Sequence, residues 1–208
     1  MIDLHPTTIL VFGFLLGIRH ALDADHLAAV STIVSERKSV AGSALVGTVW
    51  GLGHTASLLG VAFVMIGLRT QIPVTLARGF ELAVAAMLVA LGLDLLLRGK
   101  AGAARRRSNR RPFLVGLMHG LAGSAGLMLA VLATIPTPSV ALAYVGAFGI
   151  GSIGGMVVTS VALGLPIAFA TGRFTRAEGW LQTCAAVGSV GVGLLLAWKV
   201  TTQTRIRL

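Results

Sequence analysis

Six long apolar runs dominate the chain and leave little choice of architecture. They cover residues 8–34, 40–68, 76–98, 113–135, 140–171 and 179–199, each near or above the ~20 residues a helix needs to cross the hydrocarbon of a bilayer. Strands do not fit, because the runs are too long and lack strict alternation of apolar and polar positions. The separators carry proline, glycine and charge: Glu36-Arg37-Lys38, a turn over 69–78 with Pro73, a basic stretch over 98–111, Pro136-Thr137-Pro138, and residues 172–178. Composition agrees. With 55% hydrophobic residues, 12% charged residues and a mean hydropathy of +0.88, there is too little polar surface to clothe a soluble globule. The expected fold is an all-α integral membrane protein of six transmembrane helices. It forms a single transmembrane domain over 1–208 with no separate soluble module.

The formal net charge of +10 does not indicate nucleic acid, because the basic residues lie between apolar runs, where membrane topology and anionic lipid explain them. The connections after the first, third and fifth runs hold eleven Lys and Arg, against five after the second run and in the C-terminal tail. The richer side is cytoplasmic by the positive-inside rule, which puts both termini outside a bacterial-type inner (plasma) membrane. One cysteine, Cys184, excludes an internal disulfide and a two-thiol relay. The first run has no basic leader or small-residue cleavage site and reads as a retained span.

The chain also repeats. Gly17-Ile18-Arg19-His20 matches Gly116-Leu117-Met118-His119. Trp50-Gly51-Leu52-Gly53 matches Phe148-Gly149-Ile150-Gly151, and Gly79 with Ala85-Ala86 matches Gly179 with Ala185-Ala186, at offsets of 99, 98 and 100 residues. A near-constant offset across three helices indicates a duplication. The first unit covers 8–98, the basic loop 99–112 follows, and the second unit covers 113–199. An odd number of helices per unit makes the units inverted repeats, which set a transporter's site at their interface near the midplane.

Chemistry concentrates in the first run, where Arg19, His20, Asp23, Asp25 and His26 fall within ten apolar-flanked residues. Ionisable groups at that depth are costly and mark an ion or substrate path. On a straight helix His20, Asp23 and His26 share a stripe, but the two histidines lie about 9 Å apart along the axis. One ion cannot take both unless the helix breaks; otherwise the histidines serve successive positions on a path. Imidazole with carboxylate suits Ni²⁺, Co²⁺ or Zn²⁺ better than Mg²⁺ or Ca²⁺, which take all-oxygen sites, or Cu⁺, which takes sulfur. Asp25 and Arg19 are alternatively orienting or charge-balancing groups. A buried salt bridge of Arg19 with Asp23 or Asp25 that only locks helices is the plainer reading. His54 and His119 are each read either as ligands or as interhelical hydrogen-bonding residues.

The run Arg19-His20-Ala21-Leu22-Asp23-Ala24-Asp25-His26 resembles the RHAxDADH signature of the nickel/cobalt transporter family. Gly51-Leu52-Gly53-His54-Thr55-Ala56-Ser57 is similar to that family's second, histidine-bearing motif. The resemblance implies that His20, Asp23, Asp25, His26 and His54 bind and move Ni²⁺ or Co²⁺. His119 joins them through its match with His20. Longer members have eight spans and an acidic motif in the later half. Here that stretch is Gly116-Leu117-Met118-His119-Gly120-Leu121-Ala122-Gly123-Ser124-Ala125-Gly126, without a carboxylate, which resembles the shorter UreH-type branch associated with urease nickel supply. The partners so implied are a divalent metal ion, the lipid bilayer and maturation proteins of nickel enzymes.

Other polar and aromatic residues have local explanations. Asp94 and Arg98 are spaced as an i,i+4 pair, and Glu81 suits the positive end of the third helix. Tyr144, Trp180 and Trp198 lie near span ends, as interfacial anchors do. The glycine pairs Gly13/Gly17, Gly47/Gly51 and Gly151/Gly155 are small-xxx-small packing positions. The sequence thus reads as a permease for a divalent transition metal, Ni²⁺ before Co²⁺, working inward by alternating access. It is expected to be no enzyme, with no resident cofactor and the metal as cargo. The rivals are an exporter on the same scaffold and a membrane-embedded metalloenzyme, against which the absence of HExxH counts.

Overall fold

The computed structural model describes residues 5–37, 39–68, 72–98, 108–122, 134–135, 137–170 and 173–206. Among these residues there are seven helices and no strand: α1 (Pro6–His20), α2 (Ala24–Val34), α3 (Val40–Leu68), α4 (Val74–Arg98), α5 (Arg110–Leu121), α6 (Pro138–Ala170) and α7 (Thr175–Ile206). Four of them, α3, α4, α6 and α7, are long and apolar enough to cross a membrane. α1 and α2 count as a fifth span if taken together, bent by 57°. Of the expected span at 113–135, α5 accounts for the first part, and most of the remainder lies outside the described residues.

Large apolar side chains lie on the outside as well as in the core, and several polar ones are buried. Phe63, Leu97, Ile150, Val158 and Phe169 are exposed, while His20, His26, Ser43, His54, His119, Ser152, Ser160 and Ser189 are buried. An apolar exterior of this extent is a surface for lipid, and the polar groups gathered inside are what the helices are arranged to hold.

Two groups of helices can be distinguished. α1, α3, α5 and α6 meet through glycines whose missing side chains let backbones touch. A Cβ on Gly17 would strike the carbonyl of Phe148, and one on Gly151 the carbonyl of Phe14. A Cβ on Gly116 would strike the carbonyl of Trp50, and one on Gly53 that of Phe113. These contacts are reciprocal: α1 against α6 reproduces α5 against α3. α4 and α7 form a separate pair. There Gly92 faces the Ala186 carbonyl, Gly193 faces the Ala85 carbonyl, and Ser189 Oγ donates to the Leu88 carbonyl at 2.8 Å. The contacts relate Ala85 to Ala186 and Gly92 to Gly193, one residue away from the register that matching Ala85-Ala86 to Ala185-Ala186 gives. The α4–α7 pair touches the other helices chiefly through α2.

One local expectation changes. Tyr144 is no interfacial anchor: it is fully buried, its ring packed where Gly13 leaves room. Trp180 and Trp198 are exposed, as anchors require. Asp94 accepts from Arg111 Nη2 at 3.2 Å, a partner 17 residues on, while the side chain of Arg98 lies outside the described residues.

Candidate metal centre

The signature run breaks as the axial-rise argument requires if its two histidines are to meet. α1 ends at His20, Ala21 and Leu22 turn, Asp23 is extended at φ −63° and ψ 145°, and α2 starts at Ala24. The 57° bend folds His26 back beside His20, with ring centroids 4.4 Å apart. α5 stops in a matching way: His119 lies in its last turn and Ala122 is extended at φ −80° and ψ 157°. Two helix C-termini therefore point at one place, and their partial negative charge favours a cation there.

α3 supplies His54, half-way along its length. The four imidazoles form one buried cluster. His54 lies 5.2 Å from both His20 and His26, and His26 lies 4.4 Å from His119, centroid to centroid. Aromatic side chains close it. Trp50 stacks on His26 at 5.5 Å and meets His119 edge-on at 5.7 Å, and Phe148 lies 5.3 Å from His20.

Carboxylates set the tautomers. An ionised carboxylate only accepts, so the ring nitrogen facing it carries the proton. His20 Nδ1 donates to Asp23 Oδ2 at 2.9 Å, His26 Nδ1 to Asp25 Oδ1 at 3.1 Å, and His119 Nε2 to Asp25 Oδ2 at 3.1 Å. The backbone N–H of His26 adds a third bond to Asp25, at 3.0 Å. Each of these histidines then keeps one bare nitrogen. His20 Nε2, His26 Nε2, His119 Nδ1 and both nitrogens of His54 are buried without a hydrogen-bond partner. A buried polar group left so costs about 1–3 kcal/mol, which a bound cation would recover.

The donor geometry is close to that of an ion site. One donor atom each from His20, His26 and His54 lie within 4.8 Å of one another, and so do one each from Asp25, His26 and His119. With metal–nitrogen bonds of about 2.1 Å, donors on one ion stand at most about 4.2 Å apart, so a contraction of under about 1 Å suffices. The second set draws on oxygens already bonded to His26 and His119. Asp25 is thus an orienting group as the structure stands, the carboxylate–histidine arrangement typical of metal centres. Asp23, with a side chain 47% exposed, serves His20 alone and falls in neither set. The locking of helices by a buried Arg19 salt bridge does not occur here: Arg19 is exposed, and both carboxylates face histidines.

A cavity of about 550 Å³ adjoins the cluster, walled by Asp23, Ala24, Asp25, Glu81, Val84, Ala122, Val192 and Lys199 among others. Asp23 and Asp25, which line it, bond His20, His26 and His119. Glu81 is the carboxylate that sequence reasoning set aside as a helix-end residue, and no spacing in the chain links it to the signature run. Trp50 and Phe148 stood in the sequence only as matched positions of the two repeats, and their stacking on the histidines needed the fold to be seen.

The chain is 30% identical over 200 residues to the urease accessory protein UreH of Bacillus sp. (strain TB-90), an alignment covering 88% of each chain. It is 26% identical to two Arabidopsis thaliana proteins, chloroplast proteins FOR GROWTH AND FERTILITY 1 and 2, over 89% and 88% of its own length but only 58% and 54% of theirs. No family model matches the chain, and no solved structure does. The similarity to UreH over nearly the whole of both chains, together with the signature residues gathered at the broken helix, shows that this chain belongs to the UreH-type branch of the nickel/cobalt transporter family.

Proposed function

We propose that the chain is a permease that brings Ni²⁺, with Co²⁺ as a second cargo, into the cytoplasm by alternating access. The observation that carries this reading is the cluster of four buried imidazoles from α1, α2, α3 and α5, each with a nitrogen free for an ion. Nitrogen donors favour late first-row dications over Mg²⁺ and Ca²⁺. The Bacillus relative is by name an accessory to urease, a nickel enzyme, and that favours Ni²⁺ among them.

In this proposal the chain is one domain of two inverted three-helix units. The reciprocal glycine contacts of α1–α6 with α5–α3, and of α4 with α7, support it. The cavity lies toward the start of α4 and the end of α7, the ends opposite the basic stretch over 98–111. With that stretch cytoplasmic by the positive-inside rule, both termini are outside and the cavity is the outer vestibule. Asp23, Asp25 and Glu81 draw the hydrated ion in, His20, His26, His54 and His119 replace its water, and Asp25 holds two of them in the ligating tautomer.

An inside-negative potential of about 100 mV stabilises an entering dication by ~4.6 kcal/mol, roughly a thousandfold accumulation without ATP. The test is uptake of radiolabelled Ni²⁺ into inside-negative proteoliposomes holding the purified protein alone. Saturable uptake by the parent, absent in His20→Ala and Asp25→Ala, is the expected result. A folded parent that takes up no Ni²⁺ overturns the importer.

A further inference from the structure

The vestibule has a counterpart at the other end of the same helices, and it is closed by charge. Arg111, at the start of α5, sends Nη1 to Glu36 Oε2 at 3.4 Å, just beyond the end of α2, and Nη2 to Asp94 Oδ2 at 3.2 Å, near the end of α4. Beside it Gln182, early in α7, donates to the Ser35 carbonyl at 3.2 Å. Glu36 is buried and Arg111 and Asp94 are each about a quarter exposed. The guanidinium is therefore held between two carboxylates in a partly dry site, where such pairs are stronger than on an open surface.

The placement of these bonds gives them a role. α4 and α7 pack closely on each other and meet the remaining helices chiefly through α2. At one end of this seam α4 and α7 stand away from α2 and leave the cavity lined by Asp23, Asp25, Glu81 and Val192. At the other end the Arg111 and Gln182 bonds draw α4 and α7 onto α2 and α5. A seam open at one end and tied at the other is the geometry of a transporter facing one side of its membrane.

We propose that Arg111, with Glu36 and Asp94, is the cytoplasmic gate of the permease. Its release lets the α4–α7 pair rock as a unit, opening the inner end while the vestibule closes. This rests on the transport reading, but its test needs no metal, so the two fail separately. In a Cys184→Ser background, single cysteines are placed in the vestibule wall (Val192→Cys) and at the tied end (Ser35→Cys). Their rates of reaction with a charged thiol reagent are measured in detergent micelles, where both ends meet the reagent. Arg111→Ala is expected to slow labelling at 192 and speed it at 35, each several-fold, and Arg111→Lys, which keeps the charge, to restore much of the original pattern. Asp94→Asn, which weakens the arm to α4 and leaves the Glu36 pair, is expected to shift both rates the same way by less. It serves if Arg111→Ala does not fold. Unchanged rates at both cysteines in a folded Asp94→Asn or Arg111→Ala protein overturn the gate, whatever the Ni²⁺ uptake assay returns.

Discussion

Asp25 does two jobs with two oxygens. One holds His26 and the other holds His119, each in the tautomer that leaves its second nitrogen bare. An amide has one acceptor where the carboxylate has two, so Asp25→Asn serves one histidine and turns an N–H donor on the other. Loss of such an orienting partner typically costs 10- to 100-fold in metal affinity. Ni²⁺ binding by the purified protein, followed by calorimetry, should weaken by about that much in Asp25→Asn. It should weaken less in Asp23→Asn, whose half-exposed carboxylate positions His20 alone. Equal effects of the two changes would deny Asp25 its double role. The sequence marked both aspartates and all four histidines as candidates. It did not separate ligand from orienting group, because that division depends on a contact between Asp25 and a histidine 94 residues away.

Helices touch here through absent side chains and meet the site through interruptions. Gly17 lies against the Phe148 backbone, which has no room to retreat, whereas nothing lies within 4 Å of a Cβ on Gly60. Gly17→Ala should destabilise the folded protein by ~1–3 kcal/mol through overpacking. Gly60→Ala should be neutral or raise stability by up to about 1 kcal/mol, since alanine loses less entropy in a helix. Thermal unfolding in detergent compares them. The break is as specific: deleting Leu22, whose side chain is exposed, would shorten the turn that sets α2 against α1 and swing His26 out of the cluster. The deletion protein should insert in membranes and bind no Ni²⁺ detectably. The break was readable in advance as the condition for one ion to take both His20 and His26, from helical rise alone. The burial of Tyr144 was not, because a tyrosine near a span end fits the interface equally well until Gly13 is found opposite it.

For the whole molecule, the division into a glycine-packed group and an α4–α7 pair sets which cross-links transport should tolerate. In a Cys184→Ser background, a disulfide between cysteines placed on α4 and α7 away from the close approaches at Gly92 and Gly193 ties the two helices within one moving unit, and Ni²⁺ uptake should survive it. A bifunctional thiol cross-linker between Ser35→Cys and Gln182→Cys, which leaves Arg111, Glu36 and Asp94 in place, spans the tied end and should stop uptake. Membrane character and the positions of the four long spans were legible because hydropathy is a local property of the chain. Arg111 was not singled out from its neighbours in the basic stretch, since nothing in a run of arginines tells which one turns inward to meet Glu36 and Asp94.

That Asp25 bonds histidines on α2 and on α5 makes the site a logical conjunction. The first half of the polypeptide brings three of the four imidazoles and the second half brings the fourth, and the one carboxylate reports whether both are docked. A chain still being inserted, with the first helices in place and α5 not yet delivered, has His20, His26 and His54 but only one of the two histidines that fix Asp25.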